Sequence, residues 1–127
     1  MNDQMKKTSK FSELTVWKEG HELVLMIYSI TANFPQDERY GLISQIQRSA
    51  ISITANIAEG YGRISPKDKI HFYFISRGSL FELENYLILT KDLGYIENEE
   101  IYQKLVAKIN LVQKLLSGFI TKSKSFI

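Results

Sequence analysis

The chain has 127 residues, 44% of them hydrophobic and 24% charged, with a formal net charge of +2. That suffices for one domain with a buried core, is too apolar for a disordered chain, and is too nearly neutral for whole-chain electrostatics to announce a nucleic-acid binder. The lack of cysteine excludes disulfide frameworks, thiol nucleophiles and cysteine zinc sites, and it suits a reducing cytosol.

Met1 to Lys10 is polar and has no apolar signal core. The longest apolar runs, such as Leu23 to Tyr28, are too short to span a bilayer. The expectation is a soluble, cytoplasmic protein with no membrane partner, a single domain over 1–127 with an ordered core over about 11–120 and flexible polar termini.

A first helix is predicted from about Glu13 to Asn33, with Ser12 as N-cap. Leu14, Trp17, His21, Val24, Leu25 and Tyr28 can share its broad face. Phe34-Pro35 ends it, because the residue before proline is pushed out of the α region.

A second helix is predicted from about Glu38 to Glu59, stopping at Gly60 with a positive-φ glycine turn. Ile46, Ala50, Ile53 and Ile57 form its apolar stripe. Gln45, Arg48, Ser52, Asn56 and Glu59 follow a second stripe, interleaved with Ser49, Ala55 and Ala58. Small residues let another backbone come close, and amides, a guanidinium and a carboxylate can satisfy one another in a semi-buried network. The helix reads as one covered on more than one side, which in so short a chain points to self-association.

Ser65-Pro66 opens a third helix that runs to about Asp92. Ile70, Phe74, Phe81 and Ile88 mark one line on it, and Ile75, Ser79, Glu82, Tyr86 and Leu89 another. Arg48 and Arg77 are candidate partners for Glu59 and Glu82 in a polar network of the bundle or of a subunit interface. Asn98 caps a fourth helix, with Glu99 and Glu100 in its first turn. Its predicted seam is Ile101, Leu105, Ile109, Val112, Leu116 and Phe119, and the chain is expected to fray after Gly118. Four amphipathic helices joined by short loops predict an all-α, antiparallel up-down-up-down four-helix bundle.

Catalytic and cofactor chemistry finds little support. A di-iron bundle needs carboxylates from all four helices and Glu-x-x-His steps on two of them, whereas this chain offers only Asp68 to His71. Gly60-Tyr61-Gly62 follows a helix rather than a strand, so it is not a phosphate loop. Glu82 and Glu84, two apart on a helix, do not face a common substrate. The reading is therefore non-enzymatic, with no catalytic, metal or cofactor residues. Five lysines and no acid lie between Ile101 and Ile127: Lys104, Lys108, Lys114, Lys122 and Lys124. They are candidate phosphate contacts, alongside the solvated-surface role that lysine ordinarily has. Lys6, Lys7 and Lys10 add charge at the other end. His71-Phe-Tyr-Phe74 with Arg77, and Tyr61 with Arg63, mix aromatic and basic groups that can stack bases or serve a protein interface.

Six blocks occur in order: Phe11-Ser-Glu-Leu-Thr-Val-Trp17, Phe34-Pro35, Glu38-Arg-Tyr-Gly-Leu42, Ser44-Gln-Ile-Gln-Arg-Ser-Ala-Ile-Ser-Ile53, Asn56-Ile-Ala-Glu-Gly-Tyr-Gly-Arg63 and Gly78-Ser-Leu-Phe-Glu-Leu-Glu84. From about Phe11 to Phe119 the chain resembles the small four-helix-bundle proteins encoded by intervening sequences of large-subunit ribosomal RNA genes. The resemblance implies a ring-shaped homopentamer with no established catalytic activity. It also implies kinship with the accessory variability proteins of diversity-generating retroelements, basic pentamers that bind a reverse transcriptase and nucleic acid. The modest charge of this chain departs from that branch. The expected function is a non-enzymatic homo-oligomer acting as an RNA-associated or scaffold protein. The alternative is an accessory subunit that binds a retroelement reverse transcriptase and its nucleic acid.

Overall fold

The computed structural model describes residues 10–127. The expectations for Met1 to Ser9, including Lys6 and Lys7, lie outside the described residues. The protein is all-α. The described residues form four helices, α1 (Thr15–Thr31), α2 (Leu42–Tyr61), α3 (Pro66–Asp92) and α4 (Glu99–Lys124), with short 3-10 turns at Phe11–Glu13 and Gln36–Glu38.

Local chemistry sets most of the boundaries. Ser65 accepts a hydrogen bond from the Asp68 amide at 3.4 Å, and Pro66 follows at the first helical position. Asn98 accepts from the Ile101 amide at 3.0 Å. Gly94, with φ of 82°, turns the chain between α3 and α4.

Four boundaries differ from the sequence reading. Ser12 is not a cap: it sits in the first 3-10 turn, and α1 begins after Leu14. The Glu38 region is likewise a 3-10 turn, and α2 begins at Leu42. Gly60 does not stop α2 through a positive φ, because it lies inside the helix and the cap is Gly62 at φ −78°. Its role is steric: a Cβ there would lie 2.6 Å from Tyr73 Cε1 and 2.9 Å from the Lys69 carbonyl. Finally, α4 does not fray at Gly118. It runs to Lys124 because Ile120 and Ser123 are buried, and packing extends a helix beyond what local propensity would hold.

The α2 stripe of Ile46, Ala50, Ile53 and Ile57 is wholly buried. Leu105, Ile109, Val112 and Leu116 of α4 join it, with Ile120 added and Ile101 left exposed. Each full burial of such an aliphatic side chain stabilises by about 1.5–3 kcal/mol. On α1 the buried line is Val16, Gly20, Leu23, Ile27 and Thr31, offset from the predicted face; Trp17 and Val24 flank it, while His21, Leu25 and Tyr28 face outward. Gly20 is there because a Cβ would come within 3.1 Å of Thr54 Cγ2 on α2.

Helix α3 departs furthest from expectation. Its buried line is Ile70, Tyr73, Ser76, Leu80, Leu83, Leu87 and Thr90. Of the two lines read from the sequence, only Ile70 is in the core. The others are exposed or half-buried, because apolar residues are spread round α3 among its polar ones and spacing alone could not rank its faces. Each helix packs on its neighbours in sequence, and α1 also packs on α4. Contacts that locate the pairs are Gly20 with Thr54, Ser52 with Ser79, and Tyr73 with Phe119.

Candidate functional site

The α2–α3 seam is the most intimate in the molecule, and small residues make it so. The Ser76 hydroxyl donates to the Ile53 carbonyl at 2.7 Å. The Ser52 and Ser79 hydroxyls meet at 2.7 Å. Asn56 Nδ2 donates to both the carbonyl and the hydroxyl of Ser52, at 2.8 and 2.9 Å. A serine on each helix thus replaces a packed side chain with a short hydrogen bond and draws the two backbones together.

The predicted polar network is realised only at this centre. Gln45, Arg48 and Glu82 are exposed and make no hydrogen bond or ion pair among the described residues. Glu59 pairs with Arg63, at 3.7 Å, rather than with Arg48 or Arg77. The Arg77 guanidinium lies 4.9 Å from the Phe74 ring centroid, and Arg63 lies 4.7 Å from that of Phe72. Within one subunit, then, neither Glu59 nor Glu82 pairs with Arg48 or Arg77. Glu59 finds Arg63 one turn away on its own helix, and Arg77 lies against the Phe74 ring of its own helix, so each is engaged without reaching across the seam.

The outer side of α3 carries apolar groups where a soluble helix ordinarily carries charges. Phe74, Phe81 and Ile88 recur two turns apart, with 39%, 51% and 52% of their surface exposed. Ile75 and Leu89 flank them, also exposed, and Gly78 between them has open space where a Cβ would stand. Ile51 on α2 is exposed as well. Single exposed apolar residues are ordinary, whereas a run along one helix face marks an interaction surface.

The five candidate phosphate-binding lysines do not form one stripe. Lys108 Nζ is held by Glu19 and Glu22 of α1, each at 2.6 Å, with only 19% of its side chain exposed. Those carboxylates raise the Lys108 pKa, and in return its ammonium lowers that of Glu22. Lys104 lies 3.6 Å from Glu100, on the open surface. Lys124 sits over the Phe74 ring at 5.1 Å, beside the apolar face of α3. Lys114 is exposed and Lys122 half-exposed, and neither has an ion-pair partner among the described residues.

The sequence reading missed Ser76 as part of this seam. Ser76 carried a usable signal, as a small polar residue among large apolar ones, but its register became visible only once the buried face of α3 was known. No three His, Asp or Glu side chains converge on a possible metal position among the described residues. His21 instead stacks on Trp17 at 4.7 Å, with an interplanar angle of 11°. No helix among the described residues is long and apolar enough to cross a membrane.

Four helices with a serine-zipped central seam and an apolar outer face define a small all-α helical protein whose surface is organised around α3. Residues 12–118 match the family of 23S rRNA-intervening sequence proteins, and the chain belongs to that family. The fold is similar to that of a protein of unknown function from the S23 ribosomal protein family of Bacteroides thetaiotaomicron VPI-5482, solved by crystallography. The TM-score is 0.76 and the identity 27%, covering 84% of this chain and 95% of that one. No curated protein matches the chain.

Proposed function

We propose that this protein is a non-enzymatic, self-associating scaffold that engages structured RNA. In this reading the chain is an up-down-up-down bundle whose copies close into a ring-shaped pentamer through the outer face of α3. The carrying observation is the exposed run of Phe74, Phe81 and Ile88 with Ile75 and Leu89 beside it. A neighbouring copy would remove that surface from water, and in a ring the patch of each subunit would meet a different patch on the next, head to tail. Gln45, Arg48 and Glu82, exposed and unpaired within the subunit, would find partners in such an assembly.

RNA enters through the family, whose members are named for intervening sequences of 23S rRNA, and through the α4 lysines. Lys114 and Lys122 are the better candidates for phosphate, because Lys108 is already neutralised by two carboxylates and Lys124 lies over Phe74 on the face that a neighbouring copy would cover. Repetition around a ring would multiply a weak attraction per subunit, since once one copy engages the others act at high local concentration.

Filter binding to a structured RNA across a salt series tests this. Log affinity falls steeply with log salt, and Lys114→Glu with Lys122→Glu weakens binding and flattens that slope. An affinity unchanged between low and physiological salt would remove RNA from the account.

A further inference from the structure

At one end of the bundle, where α2 ends, α3 begins and α4 ends, a cavity of about 520 Å³ opens between Tyr61, Lys69, Tyr73, Phe119 and Phe126. It is separate from the outer face of α3 and nothing in the proposed function uses it. Its walls are aromatic rings. Tyr73 and Phe119 pack against each other at 4.9 Å between centroids, and Lys69 Nζ lies 5.2 Å from the Tyr61 ring centroid.

Two polar groups stand in this aromatic setting without the partners their chemistry calls for. Lys69 Nζ donates to the Tyr61 main-chain carbonyl at 2.7 Å, yet it has no carboxylate partner among the described residues, and no Asp or Glu lines the cavity. Burial lowers the Lys69 pKa, the mark of a cation whose lost hydration has not been replaced by a counter-charge. Tyr73 is 1% exposed, and its hydroxyl makes no hydrogen bond among the described residues. No fully buried side-chain oxygen among those residues lacks a partner. Tyr73 lines the cavity, and its unbonded hydroxyl is not sealed in the packed core. The one remaining polar side chain, Ser123, already donates its proton to the Phe119 carbonyl at 2.8 Å.

We propose that this cavity binds a small aromatic carboxylate, its ring held against Tyr61 and Phe119 and its carboxylate bonded to the Lys69 ammonium and the Tyr73 hydroxyl. The volume suits a one- or two-ring molecule, and the wall chemistry suits its faces. One ammonium matches one negative charge. A phosphate dianion would need a second cation, which the lining lacks. Gly60 belongs to the same construction, because a Cβ there would push into Tyr73 and the Lys69 carbonyl, closing the space at its back.

Titrating the full chain with 2-naphthoate and with its neutral isostere 2-naphthamide, followed by two-dimensional amide NMR and calorimetry, tests the site. Naphthoate binds about tenfold or more tightly than the amide, as expected where a charge-assisted hydrogen bond is added. Its shifts centre on Tyr61, Lys69, Tyr73 and Phe119. Lys69→Met, at a half-exposed position that leaves the core intact, abolishes the preference for the acid, and Tyr73→Phe weakens the acid more than the amide. Equal affinity for the two compounds, shifts centred elsewhere, or no binding to a folded chain would overturn the proposal. None of these outcomes depends on self-association or RNA.

Discussion

Ser76 of α3 donates its hydroxyl proton to the main-chain carbonyl of Ile53 on α2, and both residues are wholly buried. The bond sits one turn of α3 from the Ser52–Ser79 contact, so two serines of α3 hold it against α2 where large side chains would hold it away. Ser76→Ala removes the bond and leaves a small void, and should cost about 1 kcal/mol. Ser76→Leu forces the helices apart and should cost about 1–3 kcal/mol. Urea melts of the two variants check both the sign and the order. Equal stability of Ser76→Leu and the parent chain would mean that the seam is not closely packed.

The glycines divide by what a methyl group would meet. Gly60→Ala drives a Cβ into Tyr73 and the Lys69 carbonyl and should destabilise by about 1–3 kcal/mol, the usual cost of overpacking. Gly118→Ala, inside α4 with open space at the Cβ position, should stabilise by about 0.5–1 kcal/mol by restricting the unfolded chain. Gly78→Ala should do the same for the isolated subunit. If α3 packs closely on a neighbouring copy at that point, the same change weakens assembly. Thermal melts paired with light scattering separate the two effects.

The ion cluster of Lys108 with Glu19 and Glu22 predicts a pH dependence. The folded-state pKa of Glu22 is lowered, chiefly by its hydrogen bond to Lys108. Its contribution is therefore complete above the ordinary carboxylate value and is lost as pH falls through the depressed one. The Lys108 pKa is raised, first by Glu19 and then by Glu22, so its contribution is present below the ordinary lysine value and is lost only in strong alkali. Lys108→Met should flatten the decline in melting temperature between pH 7 and about pH 3 relative to the parent chain. Because Glu22 is well exposed, the effect should be modest and should shrink in high salt. Parallel pH profiles of parent and variant would contradict this coupling.

Much of the fold was legible because its signals are local. Ser65-Pro66 and Asn98 announce their helices through hydrogen bonds within one turn, and the Ile46, Ala50, Ile53 and Ile57 stripe has a single apolar face to bury. The Gly60 turn was misread because Gly-Tyr-Gly has the spacing of a helix end, while the reason for Gly60 is Tyr73 on another helix. The face of α3 was misread because Phe74, Phe81 and Ile88 are as apolar as Tyr73, Leu80 and Leu87, and only the positions of α2 and α4 decide which line is enclosed. The Lys108 pairing joins groups 86 and 89 residues apart, which no local pattern encodes.

That surplus apolar line on α3 is the centre of the functional reading, and sedimentation velocity tests it most directly. At micromolar concentration the parent chain should sediment as a closed assembly of several 14.7 kDa subunits. The double variant Phe81→Glu with Ile88→Glu should sediment as a single subunit with unchanged helical circular dichroism, because both side chains are already half-exposed. A parent chain that stays at 14.7 kDa across that range, or a double variant that assembles as before, would contradict the account.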